Sequence, residues 1–479
     1  MGTGFRAETV RLGPKRILQT PTRQGRGLAY KDFAGPRPCV FGSASFLRIQ
    51  EDAVMSATPS PQLAAWVGLD WAERHHEVSL QATGSQTVEQ HTIEHTPEAL
   101  TDWLTGLRRR FGGRPVGICL ETSRGPVVYA LLEHDFVVLY PVNPKAFKDF
   151  RSAFAPSGAT DDPVDADLLR ELLVKHHDRL RPWHPDDPRT RALARLVQAR
   201  REAVDLRTRL TQQFRAELKG YFPQALEWTG SDLARPLATK FLLKWPSLEA
   251  VQRARSHTVR KFYYAHNCRR GDLIEKRLEG IRTATALTTD PAIIEPSVLK
   301  VQMLARQIEA LRPSIDRYEK EIARRFAGQD DAHLFDSLPG AGEHLAPRLL
   351  VAFGTDRDRF DRATEIQQLT GIAPVTERSG KRTWVHWRWS ASTFVRQSFH
   401  EFARLSIHHS EWARAYYELQ RQRGKGHHAA LRALAFKWLR ILFRCWKDRV
   451  PYDEARYLRA LRKRGSPLAD RIELARVTS

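Results

Sequence analysis

Cysteine is scarce: Cys39, Cys119, Cys268 and Cys445 are the only four in 479 residues, and each is far from the others. That spacing excludes a cysteine-paired metal finger and a disulfide-stapled secreted scaffold, and it predicts free thiols in a reducing cytosol. Long apolar runs are also missing. A membrane span needs about 18 consecutive apolar residues without charge, and the longest apolar tract, residues 429–446, is broken by Arg432, Lys437, Arg440 and Arg444. Negative charge is in short supply too. The 77 Lys and Arg residues outnumber 55 Asp and Glu residues, leaving +22 and a pI near 10.2. Such an excess points to a polyanion as partner. The basic residues are spread over many segments and form no single amphipathic arm, which favours nucleic acid over an anionic membrane.

With 42% hydrophobic residues the chain can build real cores, and its length predicts two or three domains. The first 60 residues differ from the rest. They are rich in Gly, Pro, Thr and Arg, without a sustained period and without the apolar core of a signal peptide. Of only three methionines, Met55 stands just ahead of Ser56-Ala57-Thr58-Pro59-Ser60-Pro61, a natural lead-in to the first strand. Residues 1–64 therefore read as an N-terminal extension, either a disordered basic arm or, over residues 1–54, sequence upstream of a true start at Met55.

From 65 to 181 strand-like and helix-like pieces alternate. Strands are predicted at 66–70, 77–82 and 87–94. A helix follows at 97–111, opened by Thr96 as cap and Pro97 as first helical residue and closed by Gly112-Gly113. A strand (116–121), a short helix (125–134), a strand (136–142), a helix (144–154) and a final helix (164–175) complete the order of a ribonuclease H-like domain. A Pro-rich linker, 182–188, leads to a helical region over 182–333. Its two long helices, 189–221 and 298–326, predict an antiparallel hairpin or an intermolecular coiled coil, with mostly helical, basic sequence between them. A last, mostly helical domain is placed at 334–460, followed by a basic tail, 461–479. Within it, Leu338-Pro339-Gly340-Ala341-Gly342 precedes an apolar helix at 345–353. Such a turn resembles a helix-hairpin-helix, whose backbone N–H groups, here at Gly340 and Gly342, can hold a phosphate; a plain loop is the alternative. Residues 384–389 alternate like a strand, and helices are predicted at 393–407, 410–423 and 429–446.

Four acids stand out. Asp70 closes Val67-Gly68-Leu69-Asp70, and Glu121 closes Val116-Gly117-Ile118-Cys119-Leu120-Glu121. Carboxylates at the ends of neighbouring strands converge at one sheet edge. Asp162 and Asp165, three apart at a helix start, share a helix face. Four carboxylates can hold two Mg²⁺ ions and drive phosphodiester chemistry, and all-oxygen ligands suit Mg²⁺ better than Zn²⁺. The alternative is structural: Asp162 as a helix cap, with Pro163 behind it, and Asp70 as a strand end. Asp161 adjoins the set, and Asp167 faces another side of the helix. Nearer the C-terminus, Arg432, Lys437, Arg440, Arg444 and Lys447 fall within about 140° of one helix at ~100° per residue. They predict either a phosphate-binding stripe or a solvated face. Trp384, Trp387 and Trp389 can stack on bases, though core packing is the preferred reading.

These residues resemble a known family. Val67-Gly68-Leu69-Asp70, Glu121-Thr122, Asn143-Pro144 and Asp162-x-x-Asp165-Ala166 look like the RuvC-like domain of DEDD insertion-sequence transposases, the bridge-RNA-guided recombinases. Leu338-Pro339-Gly340-Ala341-Gly342, Phe360, Leu369-Thr370-Gly371-Ile372-Ala373-Pro374 and Ser379-Gly380 look like the same family's transposase domain. The resemblance implies a DNA transposase that excises and inserts a mobile element, with a metal-binding acidic site and a serine nucleophile on Ser379. Without it, Ser379-Gly380 is simply a turn. Arg378, Lys381 and Arg382 are placed to steady the phosphate by their charge alone. The resemblance further implies a structured guide RNA, a dimer or tetramer, and a cytoplasmic, nucleoid-associated protein of a prokaryote. The sequence departs from the family in Ala159-Thr160-Asp161 ahead of the acidic pair and in Trp389-Ser390-Ala391-Ser392 after the serine. Two other functions stay open: a Holliday-junction-type endonuclease using the acids alone, and a non-catalytic nucleic-acid-binding protein.

Overall fold

The computed structural model describes residues 62–122, 125–154, 162–380, 382–388 and 391–478. The segment around Met55, the loop at 155–161 with Asp161, Lys381 and Trp389 lie outside the described residues.

The N-terminal part is a five-stranded sheet: β1 (Ala65–Trp71), β2 (His75–Ala82), β3 (Val88–Glu94), β4 (Val116–Leu120) and β5 (Val137–Pro141). The strand order is β3-β2-β1-β4-β5. β1–β2 and β2–β3 run antiparallel, while β1–β4 and β4–β5 run parallel. Its helices are α1 (Pro97–Phe111), α2 (Pro126–Leu131), α3 (Pro144–Phe154) and α4 (Asp162–His176). The caps of α1 are those the sequence announces: the Thr96 hydroxyl accepts from Ala99 N, and Gly112 ends the helix at φ 62°. α1 and α2 cover one face through Leu100, Leu104, Leu107, Val128 and Leu131. α3 and α4 cover the other through Phe147, Leu168, Leu169 and Leu173, against Cys119 and Tyr140. A strand buried on both faces has no polar side to show, and every residue of β4, Val-Gly-Ile-Cys-Leu, is buried.

α4 lies directly on β1, and Gly68 sets the distance. A Cβ there would stand 1.9 Å from the Ala166 carbonyl oxygen and 2.4 Å from Arg170 N. The helix is then pinned laterally. Arg170 Nη2 donates to Asp167 Oδ1 at 2.6 Å, its Nη1 to Gln81 Oε1 at 2.6 Å and its Nε to the Ser79 hydroxyl at 3.0 Å.

Two long helices follow. α5 (Pro188–Tyr221) is separated from its partner by five short helices, α6 (Ala225–Thr229), α7 (Pro236–Lys244), α8 (Leu248–Gln252), α9 (Ser256–Ala265) and α10 (Gly271–Thr283). α11 (Pro291–Ala327) then returns along α5. The pairing is antiparallel: Arg200 near the start of α5 meets Glu319 near the end of α11, and Glu217 meets Lys300 at the other end. The short helices pack Phe241, Trp228 and Tyr263 against both long ones in a core of their own.

The C-terminal part comprises α12 (Ala332–Asp336), α13 (Gly342–Phe353), α14 (Ala363–Leu369), the hairpin β6 (Val375–Ser379) and β7 (Arg382–His386), α15 (Thr393–His409), α16 (Glu411–Gln422), α17 (His427–Asp448), α18 (Glu454–Lys463) and α19 (Pro467–Thr478). Its core is aromatic, with Trp412, Trp438, Trp446, Phe353 and Phe399 fully buried. Two features differ from the sequence reading. A strand, β6, precedes the anticipated one. The residues after 460 are no loose tail: Leu461, Leu468, Ala469 and Ile472 join the core.

An ion-pair network ties the long helices to this part. Arg348 on α13 is 5% exposed, and it donates Nη1 to Glu401 Oε2 and Nε to the Ser398 hydroxyl, while Arg201 on α5 donates to Glu401 Oε1 at 3.1 Å. Removing the carboxylate strands a buried guanidinium, and such losses cost about 3 kcal/mol or more. Glu401→Gln is therefore expected to lower the unfolding free energy from a urea melt by that amount, and an unchanged value would show that solvent satisfies Arg348.

Candidate active site

The sheet register brings two of the four acids to the same edge. Gly68 pairs with Cys119 across the parallel β1–β4 ladder, so Asp70 and Glu121, each two residues further on, leave the sheet side by side. Asp162 is the first residue of α4, and Asp165 sits in its first turn. α4 crosses β1 at Gly68, which delivers that turn to the same edge.

The electrostatics report this convergence. Asp70 is pushed up to about 7 by burial first, then by the charges of Asp162, Asp165 and Glu121, with Arg151 opposing. Glu121 is raised by burial and by Asp165, again against Arg151. Asp165 is 8% exposed; its Oδ2 accepts from Arg151 Nη1 at 2.6 Å, and its buried Oδ1 has no hydrogen-bond partner. Among the described residues no three His, Cys, Asp or Glu side chains are drawn tightly enough to cage a metal ion. The four acids therefore share a field without closing into a cage. The donor set is nonetheless what a hard divalent cation takes: carboxylate oxygens, one buried and unsatisfied. Asp167 stands apart, its Oδ1 committed to Ser79 and Arg170.

Ser379 is the exposed last residue of β6, followed by Gly380 at φ 56° in the hairpin turn. Cross-strand pairing sets Ser379 opposite Arg382 and Glu377 opposite Trp384, with His386 opposite Val375. Directly opposed and alternate residues share a face, so Ser379, Glu377, Arg382, Trp384 and His386 stand on one side and Arg378 on the other. Glu377 accepts from His386 Nε2 at 2.6 Å and from Trp384 Nε1 at 2.7 Å, and His386 Nδ1 meets the Trp387 carbonyl at 2.8 Å. Both ring nitrogens face acceptors, which favours the imidazolium, and the His386 pKa is raised by the Trp387 carbonyl first and then by Glu377. The charge of Lys145, at the start of α3, acts on both Glu377 and His386. α3 thus carries one charge felt at the serine hairpin, Lys145, and one inside the acidic cluster, Arg151. Glu377, His386 and Arg151 are absent from the sequence reading. The exposed run 375–379 carries no signal for Glu377, the strand predicted over 384–389 contains His386 without singling it out, and nothing local marks Arg151.

The other anticipated contacts separate into free and engaged groups. Gly340 (φ 80°) packs its α-carbon against Leu405 and His409 of α15, leaving no room for a Cβ, whereas Gly342 faces open space. Lys447 Nζ is tied to the carbonyls of Arg357 and Phe360. Arg432 lies over the Trp387 ring, and Lys437 over Tyr416 and Trp412. Of the five basic residues of α17, only Arg440 and Arg444 are exposed, and Arg444 pairs with Asp448 at 3.1 Å. Trp384 is not a core residue but an exposed one.

Comparison with known proteins places this arrangement. Residues 67–223 match the family model of the DEDD-type IS110 transposases, and residues 332–418 that of the transposase IS116/IS110/IS902 family. The "Mini-circle putative transposase for IS117" of Streptomyces coelicolor is 29% identical over 402 residues, covering 82% of this chain and 96% of the relative. The "Putative transposase y4uE" of Sinorhizobium fredii is 31% identical over 221 residues, 44% of this chain and 59% of the relative. The "Insertion element IS900 uncharacterized 42 kDa protein" of Mycobacterium paratuberculosis is 24% identical over 394 residues, 81% and 97% respectively. The sheet with its acidic edge and the helical C-terminal part are those of a transposase of a mobile insertion element. The chain belongs to the IS110 family of DEDD-type transposases.

Proposed function

We propose that this transposase cuts and rejoins DNA with a ribonuclease H-like acidic site and a serine nucleophile, guided by a structured RNA and working as a dimer or tetramer. The observation that supports it most is the convergence of Asp70, Glu121, Asp162 and Asp165 on one sheet edge around a buried, unpartnered carboxylate oxygen. The antiparallel β1–β3 followed by parallel β4 and β5, with helices on both faces, supports the ribonuclease H-like reading.

The four carboxylates would hold Mg²⁺. A divalent ion bound there supplies positive charge to the phosphate oxygens as negative charge builds on them. The remaining chemistry belongs to the chain. Ser379 Oγ attacks the scissile phosphorus, the bond from phosphorus to the leaving DNA oxygen breaks, and a phosphoseryl link preserves the bond energy for rejoining. The Ser379 proton leaves to solvent as the attack proceeds, and a solvent proton reaches the departing oxygen. Arg382, directly across the hairpin, and the His386 imidazolium put two positive charges on the serine's face and hold the phosphate there. Arg440 and Arg444 supply exposed charge for a nucleic-acid backbone.

Incubation of the protein with Mg²⁺, candidate guide RNA and end-labelled DNA is expected to trap a covalent protein–DNA adduct, and Ser379→Ala to remove it entirely. Strand cleavage that survived Ser379→Ala would make the protein an acid-only endonuclease of the junction-resolving kind.

A further inference from the structure

Arg151 sits in the acidic cluster in a way that a structural ion pair would not. A buried arginine held for stability tends to spend its donors in a fork on a carboxylate. Arg170, two turns along α4 from the cluster, does so: its Nε, Nη1 and Nη2 all bond, to Asp167, Ser79 and Gln81. Among the described residues Arg151 makes a single hydrogen bond, Nη1 to Asp165 Oδ2 at 2.6 Å, with its side chain 19% exposed. It leaves Asp165 Oδ1 buried and unpaired, although that oxygen belongs to the very carboxylate it neutralises. Its charge is also felt at Asp70 and Glu121, where it offsets the neighbouring acids. One monovalent cation thus faces four carboxylates that repel one another and do not close up.

Resting on the acidic-site reading above, we propose that Arg151 is a place-holder: its guanidinium keeps the metal-free carboxylates together through Asp165 and gives up that oxygen to the divalent cation that binds there. The exchange replaces a single charge by a double one and lets Asp165 Oδ1 find a partner. The released guanidinium remains on α3 beside the acidic residues. Arg151 in this role is a positioning residue of the metal-free state.

Because the place-holder competes with the metal, removing it must tighten metal binding. A clamp that merely shaped the site would weaken binding when lost. The test is calorimetric titration of Mn²⁺ into the full-length protein, without DNA, for wild type, Arg151→Ala, Arg151→Gln and Asp70→Asn. Arg151→Gln keeps a hydrogen-bonding group near Asp165 without the charge, and it serves where Arg151→Ala lowers the folded yield. Both Arg151 variants are expected to bind Mn²⁺ about tenfold more tightly than wild type. Equal or weaker binding by them, with wild type still exceeding Asp70→Asn, would overturn the place-holder and leave the acidic site standing. Wild type binding no better than Asp70→Asn would overturn both.

Discussion

Asp70→Asn is expected to abolish strand cleavage and, at the same time, to make the metal-free protein more stable at pH 8. The ordinary aspartate value is 3.8, and in the folded protein Asp70 is pushed up to about 7 by burial and by Asp162, Asp165 and Glu121. Between those two values the folded state keeps a proton that the unfolded chain has released, so the unfolded state is favoured progressively as pH rises. The stabilising effect of the neutral form is complete below 3.8 and lost once pH passes 7. Each tenfold in the proton equilibrium is worth about 1.4 kcal/mol, so ionised Asp70 costs the metal-free fold at most about 4 kcal/mol at pH 8. Asparagine has the same shape and never ionises. Its advantage in a thermal or urea melt should be several degrees at pH 8 and should shrink to under about 2 kcal/mol at pH 5, where wild-type Asp70 is itself protonated. Added Mg²⁺ should reverse the ranking, because a ligand that binds only the folded state stabilises it and the variant has lost a carboxylate to bind with. A variant less stable than wild type at pH 8 without metal would mean that Asp70 is held by contacts the repulsion does not outweigh.

The acids could be read in advance because their positions follow from local rules. Asp70 and Glu121 end apolar runs, and Asp162 opens a helix with Pro163 behind it, so each address is written within five or six residues. β6 was hidden because Val375-Thr376-Glu377-Arg378-Ser379 is almost wholly exposed and shows no apolar alternation. Ser379 was marked only by resemblance, since a serine before a turn glycine has no local chemistry of its own. The tail predicted over 461–479 is the end of α18 and the whole of α19, because Arg462, Lys463 and Arg464 mask the buried Leu461 and Leu468. Counting degrees around α17 grouped five basic residues correctly on the helix, but it could not see the Trp387 ring under Arg432 or the two carbonyls that bind Lys447. Arg151 lies furthest from legibility: its role depends wholly on where α3 lands beside α4.

Gly68→Ala should be the most destructive single-methyl change in the N-terminal half. The added carbon would meet backbone, the Ala166 carbonyl oxygen at 1.9 Å and Arg170 N at 2.4 Å, and neither can rotate away. Overpacking against side chains costs 1–3 kcal/mol or so. Here α4 must lift off β1 as a body, taking with it Leu169 and Leu173, both fully buried, and the Arg170 bonds to Ser79 and Gln81. A loss on the order of 5 kcal/mol, or failure to fold, is expected in a urea melt. Any folded remainder should bind Mn²⁺ poorly, because Asp165 lies one residue before Ala166 and moves with the helix, while Asp70 stays with the strand. Gly106→Ala is the matched control. It adds the same carbon to an exposed glycine inside α1 with nothing within 4 Å, and alanine's greater helix propensity should raise stability by about 0.5–1 kcal/mol. If both variants melted alike, the close approach of α4 to β1 would not be what holds the acidic residues in register.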